Sequence, residues 1–145
     1  MTYAIKIFKA KKQAVEKEIS ILKMVKNIKG LPKYIDSGKF LMCGVYHFFI
    51  IQEHLGKDLS KAKLNIPETI RVGLKVLESL ESLHNLGYIH GDIKPDNILV
   101  QRPQKKVTIV DLGMSSKYLD SLGDHVALSL KSCHYNKWFA SINCL

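Results

Sequence analysis

Four side chains in the second half of the chain have the types and spacing to do chemistry. Asp92, Lys94 and Asn97 share the run His90-Gly91-Asp92-Ile93-Lys94-Pro95-Asp96-Asn97, and Asp111 follows in Asp111-Leu112-Gly113. A carboxylate such as Asp92 can orient a hydroxyl and take its proton. A lysine beside it can neutralise a phosphoryl group in transfer. The amide oxygen of Asn97 and the carboxylate of Asp111, brought to one point, form a hard-oxygen pair suited to Mg²⁺. Asp96 reads as a turn residue, and His90 as a structural anchor without a chemical role.

These groups act together only if the chain folds them to one place. Ile98–Val100 and Val107–Val110 read as short strands joined by the polar turn Gln101–Lys106. A hairpin of the two returns Asp111 beside Asn97. Ahead of the loop, Leu64 to Leu86 has the pattern of a long helix. Asn65 caps it, Pro67 suits its first turn, Glu68 completes a capping box, and Gly87 offers a left-handed stop. Its expected buried stripe is Ile70, Leu74, Leu77 and Leu80. Thr2 to Phe8 alternates as a strand. Lys11 to about Ile28 reads as a helix with the stripe Val15, Ile19, Leu22 and Val25, stopped at Gly30 before Pro32. Strands are expected at Lys33–Ile35 and Tyr46–Gln52.

Composition narrows the class. The chain has 145 residues, 46% of them hydrophobic, and a formal net charge of +9. That length fits one domain or slightly more, and the apolar content excludes a disordered chain. No apolar run approaches the ~20 residues of a membrane-spanning helix, so no membrane association is expected. Cys43, Cys133 and Cys144 are odd in number and widely spaced, which argues against a disulfide scaffold and for a reducing compartment. Cys133-His134 has no partner ligands and reads as plain loop. No secretory signal is evident at the N-terminus, so the expected location is intracellular, cytoplasmic or nuclear. Residues 1–40 carry ten lysines against three acids, whereas residues 41–145 hold twelve basic and ten acidic residues. A basic first third favours an anionic partner, although most such lysines line solvated faces. No aromatic RNA-binding motif or zinc-finger spacing supports nucleic-acid recognition.

The order His-x-Asp-x-Lys-Pro-x-Asn followed by Asp-x-Gly after a hairpin resembles the catalytic loop and metal-binding motif of eukaryotic protein kinases. Tyr3-Ala4-Ile5-Lys6 resembles the family's strand bearing the phosphate-pairing lysine. Glu18 then matches that lysine's ion-pair partner on the next helix. Glu16 is its rival, but the two lie ~200° apart around a helix, so only one can face the site. Glu18 is chosen because Ile19, Leu22 and Val25 then fall near one apolar side. Phe48-Phe49-Ile50-Ile51-Gln52-Glu53-His54-Leu55-Gly56 looks like the strand and hinge at the adenine pocket, with Gln52 as gatekeeper.

The resemblance implies an α+β, protein-kinase-like fold. Residues 1–56 would form a partial small lobe with antiparallel strands, a helix and the hinge. Residues 57–145 would form the first part of the helical large lobe. It implies ATP and Mg²⁺ as cofactors and a protein substrate with a serine or threonine acceptor, which Lys94 after Asp92 favours over tyrosine. By the same match, Asp92 and Lys94 are catalytic, and Lys6 with Glu18 binds the α- and β-phosphates. Asn97 and Asp111 hold the metal. Backbone groups of Glu53 and Leu55 bond the adenine, which Ala4 and Leu99 sandwich.

Within kinases the likeness is nearest to the casein kinase I and vaccinia-related kinase group. Gly30-Leu31-Pro32-Lys33-Tyr34 with Ser37-Gly38, Leu55-Gly56-Lys57-Asp58-Leu59, and Ala140-Ser141-Ile142-Asn143 carry it. Three departures bear on activity. Gly91 stands where the family usually has arginine, as in vaccinia-related kinases, which puts phosphate-driven activation through that position in question. Leu112 replaces the usual phenylalanine. No glycine-rich loop precedes Lys6, and the sequence stops just after Asn143, so it reads as a kinase domain cut at both ends, in which the apolar face of the Ile70–Leu83 helix would lack partners and form an exposed patch. The alternative expectation is a catalytically inactive kinase-derived module that binds nucleotide or a protein partner.

Overall fold

The computed structural model describes residues 2–9, 12–101, 106–126 and 138–139. It opens with a three-stranded antiparallel sheet. Strand β1 (Tyr3–Lys9) is followed by helix α1 (Lys12–Met24), then β2 (Tyr34–Met42) and β3 (Val45–Glu53), in the spatial order β1-β3-β2. The strand expected at Thr2–Phe8 is present, but its faces are reversed: Tyr3, Ile5 and Ile7 are exposed, and Lys6 and Phe8 turn inward because Phe8 packs against the core and Lys6 pairs with Glu18. The strand expected at Lys33–Ile35 runs on to Met42, because it pairs with β3 down to Met42↔Val45 around the Cys43-Gly44 turn.

The register decides what faces the site. Ala4 pairs with Gln52, Lys6 with Ile50, and Phe8 with Phe48. Directly opposed residues share a face of the sheet, and so do residues two apart along a strand. Ala4, Lys6, Phe8, Phe48, Ile50 and Gln52 therefore occupy one face. That face packs on α1: fully buried Ile50 joins Val15, Ile21, Leu22 and Val25 in the main core, with Phe8 and Phe48 against it.

After β3 come β4 (Lys57–Asp58), helix α2 (Ile66–His84), β5 (Tyr88–Ile89), β6 (Ile98–Gln101), β7 (Lys106–Ile109) and β8 (Ser116–Lys117). The capping box is formed: Glu68 N–H donates to Asn65 Oδ1 at 2.9 Å, and Asn65 N–H donates to Glu68 Oε2 at 3.2 Å. Gly87 takes the left-handed conformation, φ 77°. Strands β4, β6 and β7 make a second sheet, and β5 pairs with β8. None of the helices described is long and apolar enough to cross a membrane.

One expectation is corrected. Ile70, Leu74 and Leu77 are not buried; they are 59%, 55% and 63% exposed, and only Leu80 of that stripe packs on the core. The side of α2 that turns inward carries Val72, Val76, Ser79 and Leu83. The reason is Gly30, whose backbone lies so close to α2 that an added Cβ would sit 2.0 Å from Ser79 Oγ. Gly30 O also accepts from Ile109 N–H at 2.9 Å, fixing the same loop to β7. A small residue on α2 must meet that loop, and this sets the helix rotation.

Candidate active site

Two clusters converge. In the first, Lys6 Nζ lies 3.0 Å from both carboxylate oxygens of Glu18 and 2.6 Å from Asp111 Oδ1. One ammonium thus joins the first sheet, α1 and the loop after β7. Glu18 is buried, whereas Glu16 pairs with Lys12 at 3.7 Å on the exposed side of α1. The choice between the two glutamates made from the apolar stripe is the one observed.

The charges of this triad are mutually dependent. Burial works against the Lys6 ammonium, but Asp111 and Glu18 outweigh it and hold its pKa above the usual lysine value. Burial also opposes ionisation of Asp111, yet Lys6 prevails and keeps that carboxyl below the usual range. For Glu18 burial wins, and its pKa is raised despite Lys6.

Asp111 itself adopts φ 65°, one of two non-glycine residues described there. Aspartate tolerates this region better than most residues. Gly113 leaves room for the triad, since a Cβ there would lie 3.1 Å from Glu18 Oε2 and 3.3 Å from Asp111 Oδ1. Leu112 is fully buried in the core with Leu22 of α1.

In the second cluster, Asp92 is held from two sides. Lys94 Nζ lies 2.6 Å from its Oδ2, and Asn97 Nδ2 donates to the same oxygen at 2.9 Å and to Asp92 O at 2.8 Å. With its nitrogen committed to Asp92, Asn97 has its amide oxygen to offer a cation. The hydrogen bond to Asp92 raises the pKa of Lys94 above the usual lysine value.

The clusters are joined by backbone. Val110 N–H donates to Asn97 O at 2.8 Å, placing the two metal-binding candidates on facing ends of the hairpin. His90 sits behind both. Its Nε2 bonds Val110 O at 3.0 Å, its Nδ1 accepts from Asp92 N–H at 3.2 Å, and its carbonyl accepts from Ser115 Oγ at 3.2 Å. These partners require an Nε2–H tautomer, and burial lowers the pKa of the ring. Ser115 was not singled out from the sequence; a lone serine four residues after Asp111 carries no pattern that would mark it.

Gly91 has a conformational reason. Its φ is 81°, and a Cβ would fall 2.6 Å from Met114 O. An arginine there would be strained and would collide with backbone, so the departure from the usual kinase residue belongs to this loop's shape.

The hinge side is simpler. Glu53 N–H donates to Lys33 O at 3.3 Å, so only its carbonyl can face a nucleobase. Its carboxylate lies 3.4 Å from Lys106 Nζ. Leu55 is buried just beyond. Ala4 lies on the site-facing side of β1, and Leu99 on β6 opposite Thr108. An apolar pocket of about 220 Å³ lies between α2 and the β6–β7 hairpin, and none of its lining residues belongs to either cluster. The segments Ala140–Asn143 and Cys133-His134 lie outside the described residues.

Comparison with known proteins agrees with this geometry. The sequence pattern described as the protein kinase domain matches residues 1–141. A probable serine/threonine-protein kinase of Dictyostelium discoideum is 29% identical over 83% of this chain and 26% of its own length. A probable serine/threonine-protein kinase of fowlpox virus is 36% identical over 66% of this chain and 33% of its own. A probable casein kinase I homolog of Encephalitozoon cuniculi is 29% identical over 98% of this chain and 46% of its own. The chain spans less than half the length of each of these curated relatives.

Proposed function

The chain belongs to the protein kinase domain family, and from that premise we propose that it transfers the γ-phosphoryl group of ATP to serine or threonine hydroxyls of proteins. The observation that carries this is the pair of clusters: Lys6 bridging Glu18 and Asp111, and Asp92 held by Lys94 and Asn97. Such a reaction asks the protein mainly to position groups and stabilise charge.

Each residue then has a task. Asp92, with Oδ2 tied down, presents its other oxygen to the acceptor hydroxyl, orients it and takes its proton. Lys94 neutralises the phosphoryl group in transfer. As the hydroxyl oxygen bonds to the γ-phosphorus, the bond to the β-phosphate oxygen breaks and ADP leaves. Lys6 binds the α- and β-phosphates, and buried Glu18 fixes it. The donor set of Asn97 and Asp111, an amide oxygen and a carboxylate kept ionised by Lys6, suits Mg²⁺. When bound there the ion neutralises phosphate charge. The backbone of Glu53 and Leu55 holds the adenine, between Ala4 and Leu99. We assign residues 1–56 to the small lobe and residues 57–145 to the large lobe. We also place the chain near the casein kinase I group, on its subgroup motifs and the Encephalitozoon relative's name.

The test measures Mg·ATP binding and phosphoryl transfer to a serine/threonine peptide mixture by the full chain, beside Asp92→Asn and Asp111→Asn. Asp92→Asn should lower transfer by about 10²–10⁴-fold while nucleotide affinity stays within about threefold, since no interaction with ATP is assigned to it. Asp111→Asn should lower the Mg²⁺ dependence of binding. Nucleotide binding with no transfer above the Asp92→Asn level would make the chain a binding module instead of an enzyme.

A further inference from the structure

Three hollows follow one another along α2 and the β6–β7 hairpin, and none of their lining residues belongs to the Lys6 or the Asp92 cluster. The central one is the apolar pocket of about 220 Å³, walled by Leu64, Val72, Leu74, Val100 and Val107. It shares Val100 with a second hollow of about 540 Å³ beside Lys57, Lys61 and Lys63. It shares Val107 with a third of about 190 Å³ beside Lys29, Lys75 and Lys106. The register explains this order. Lys57 pairs with Val100, and Val100 with Val107, so the three form one row across β4, β6 and β7. Neighbouring strands lie ~4.8 Å apart, so the row spans ~10 Å, the reach of about three extended residues.

The chemistry of the band is apolar in the middle and basic at both ends. Its centre is smaller than the roughly 300–1,000 Å³ of small-molecule sites and suits one aliphatic side chain. Among the described residues no aromatic side chain lines any of the three hollows, so a nucleic acid finds no ring on which to stack a base. The acids beside them are Glu68 and Glu78, and Glu68 accepts from Asn65 N–H in the capping box. Lys61 is engaged by Asp58 at 2.7 Å. Lys57 and Lys29, at opposite ends, are exposed and have no ion-pair partner among the described residues.

We propose that this band is a docking groove for an acidic segment of a partner protein. An extended stretch would seat a leucine-type side chain in the central pocket and place carboxylates on either flank, at Lys57 and at Lys29. An apolar pocket edged by charge of one sign selects a partner of the opposite sign, and alternate side chains of an extended segment reach pocket and edge in turn. The partner's role rests on the kinase reading, under which it is the protein substrate, recruited at a distance from the transfer site. The docking itself does not depend on that reading.

The probe is a fluorescein-labelled synthetic peptide with a central leucine between glutamates and no serine, threonine or tyrosine. Its anisotropy is titrated with the full chain, beside one peptide with lysines for the glutamates and one with glycine for the leucine. The wild type should bind the first peptide roughly tenfold or more tightly than either of the others, and less tightly as salt is raised. Lys29→Glu with Lys57→Glu should weaken that binding about tenfold, and so should Leu74→Glu, at the exposed mouth of the pocket. The same charge change at Lys9 and Lys17, exposed on β1 and α1, should leave it within about threefold. Equal binding of the glutamate and lysine peptides would overturn the groove, as would equal losses from the two lysine pairs. So would displacement of the peptide by excess Mg·ATP, since the nucleotide site would then be holding it. Phosphoryl transfer without docking would overturn the groove and keep the kinase reading; docking without transfer would keep the groove and remove its substrate role. The comparison of peptides on the wild type decides even where a variant fails to fold.

Discussion

His90 shows how one residue can be structural and still set the chemistry's conditions. Its ring joins the Asp92 backbone to Val110 O, and so ties the catalytic-loop candidate to the hairpin that presents Asp111. Burial is the largest influence on its pKa and depresses it, the Val110 carbonyl opposing only in part. Below the ordinary value of about 6.5 the unfolded chain takes up a proton that the folded chain refuses. Stability then falls as the pH drops through that value, by at most about 1.4 kcal/mol per pH unit for one group. Glu18, whose pKa burial raises, acts in the opposite direction, and His90→Asn separates the two contributions. Urea unfolding between pH 7 and 5.5 should show the loss, and His90→Asn should flatten it. An unchanged slope in that variant would remove His90 as its source. The sequence marked His90 as an anchor by its place in the motif. What it anchors was not legible, because Val110 and Ser115 are distant in the chain and meet it only through the hairpin.

At the scale of elements, the local signals were the legible ones. Asn65 and Glu68 announced the start of α2, Gly87 its end, and Glu18 was separable from Glu16 by helix geometry together with the apolar stripe of α1. The rotation of α2 was not legible. Two apolar stripes run along it: Ile70, Leu74, Leu77 and Leu80 on one, of which only Leu80 packs on the core, and Val72, Val76 and Leu83 on the other. Periodicity favours the first, since the second is interrupted by Ser79. The structure buries the second because Gly30 requires a small residue opposite it, a tertiary constraint with no local trace. The two sides therefore have different energetic standing. Leu77→Lys, on the exposed side, should change the unfolding free energy by no more than about 0.5 kcal/mol. Leu83→Ala, fully buried, should cost about 2–5 kcal/mol. Chemical denaturation of both variants checks this. A large loss from Leu77→Lys would restore the stripe the periodicity favours.

The whole molecule is organised around a core that draws on both halves of the chain. Val15, Ile21, Leu22 and Val25 from the α1 region and Ile50 from β3 lie before Gly56 in the chain. Leu83, Ile109 and Leu112 lie after it, and all belong to one contiguous buried cluster. Above that cluster Lys6 ties the same two halves electrostatically, through Glu18 on one side and Asp111 on the other. Gly30 and Ile109 add a backbone bond between them. The two stretches of chain on either side of Gly56 thus share one interior, and the two clusters of polar side chains sit beside it. Such an arrangement should unfold as one unit. Far-UV circular dichroism and tyrosine fluorescence should follow a single coincident transition. Leu22→Ala and Ile109→Ala, from opposite halves, should each shift both probes together by about 2–5 kcal/mol. Two separated transitions, with each variant moving only one, would mean that the halves hold independent cores. The geometry linking Lys6 to Asp111 would then owe nothing to the shared interior, and its two ends would have to be held in register by the ion pair and the Gly30–Ile109 backbone bond.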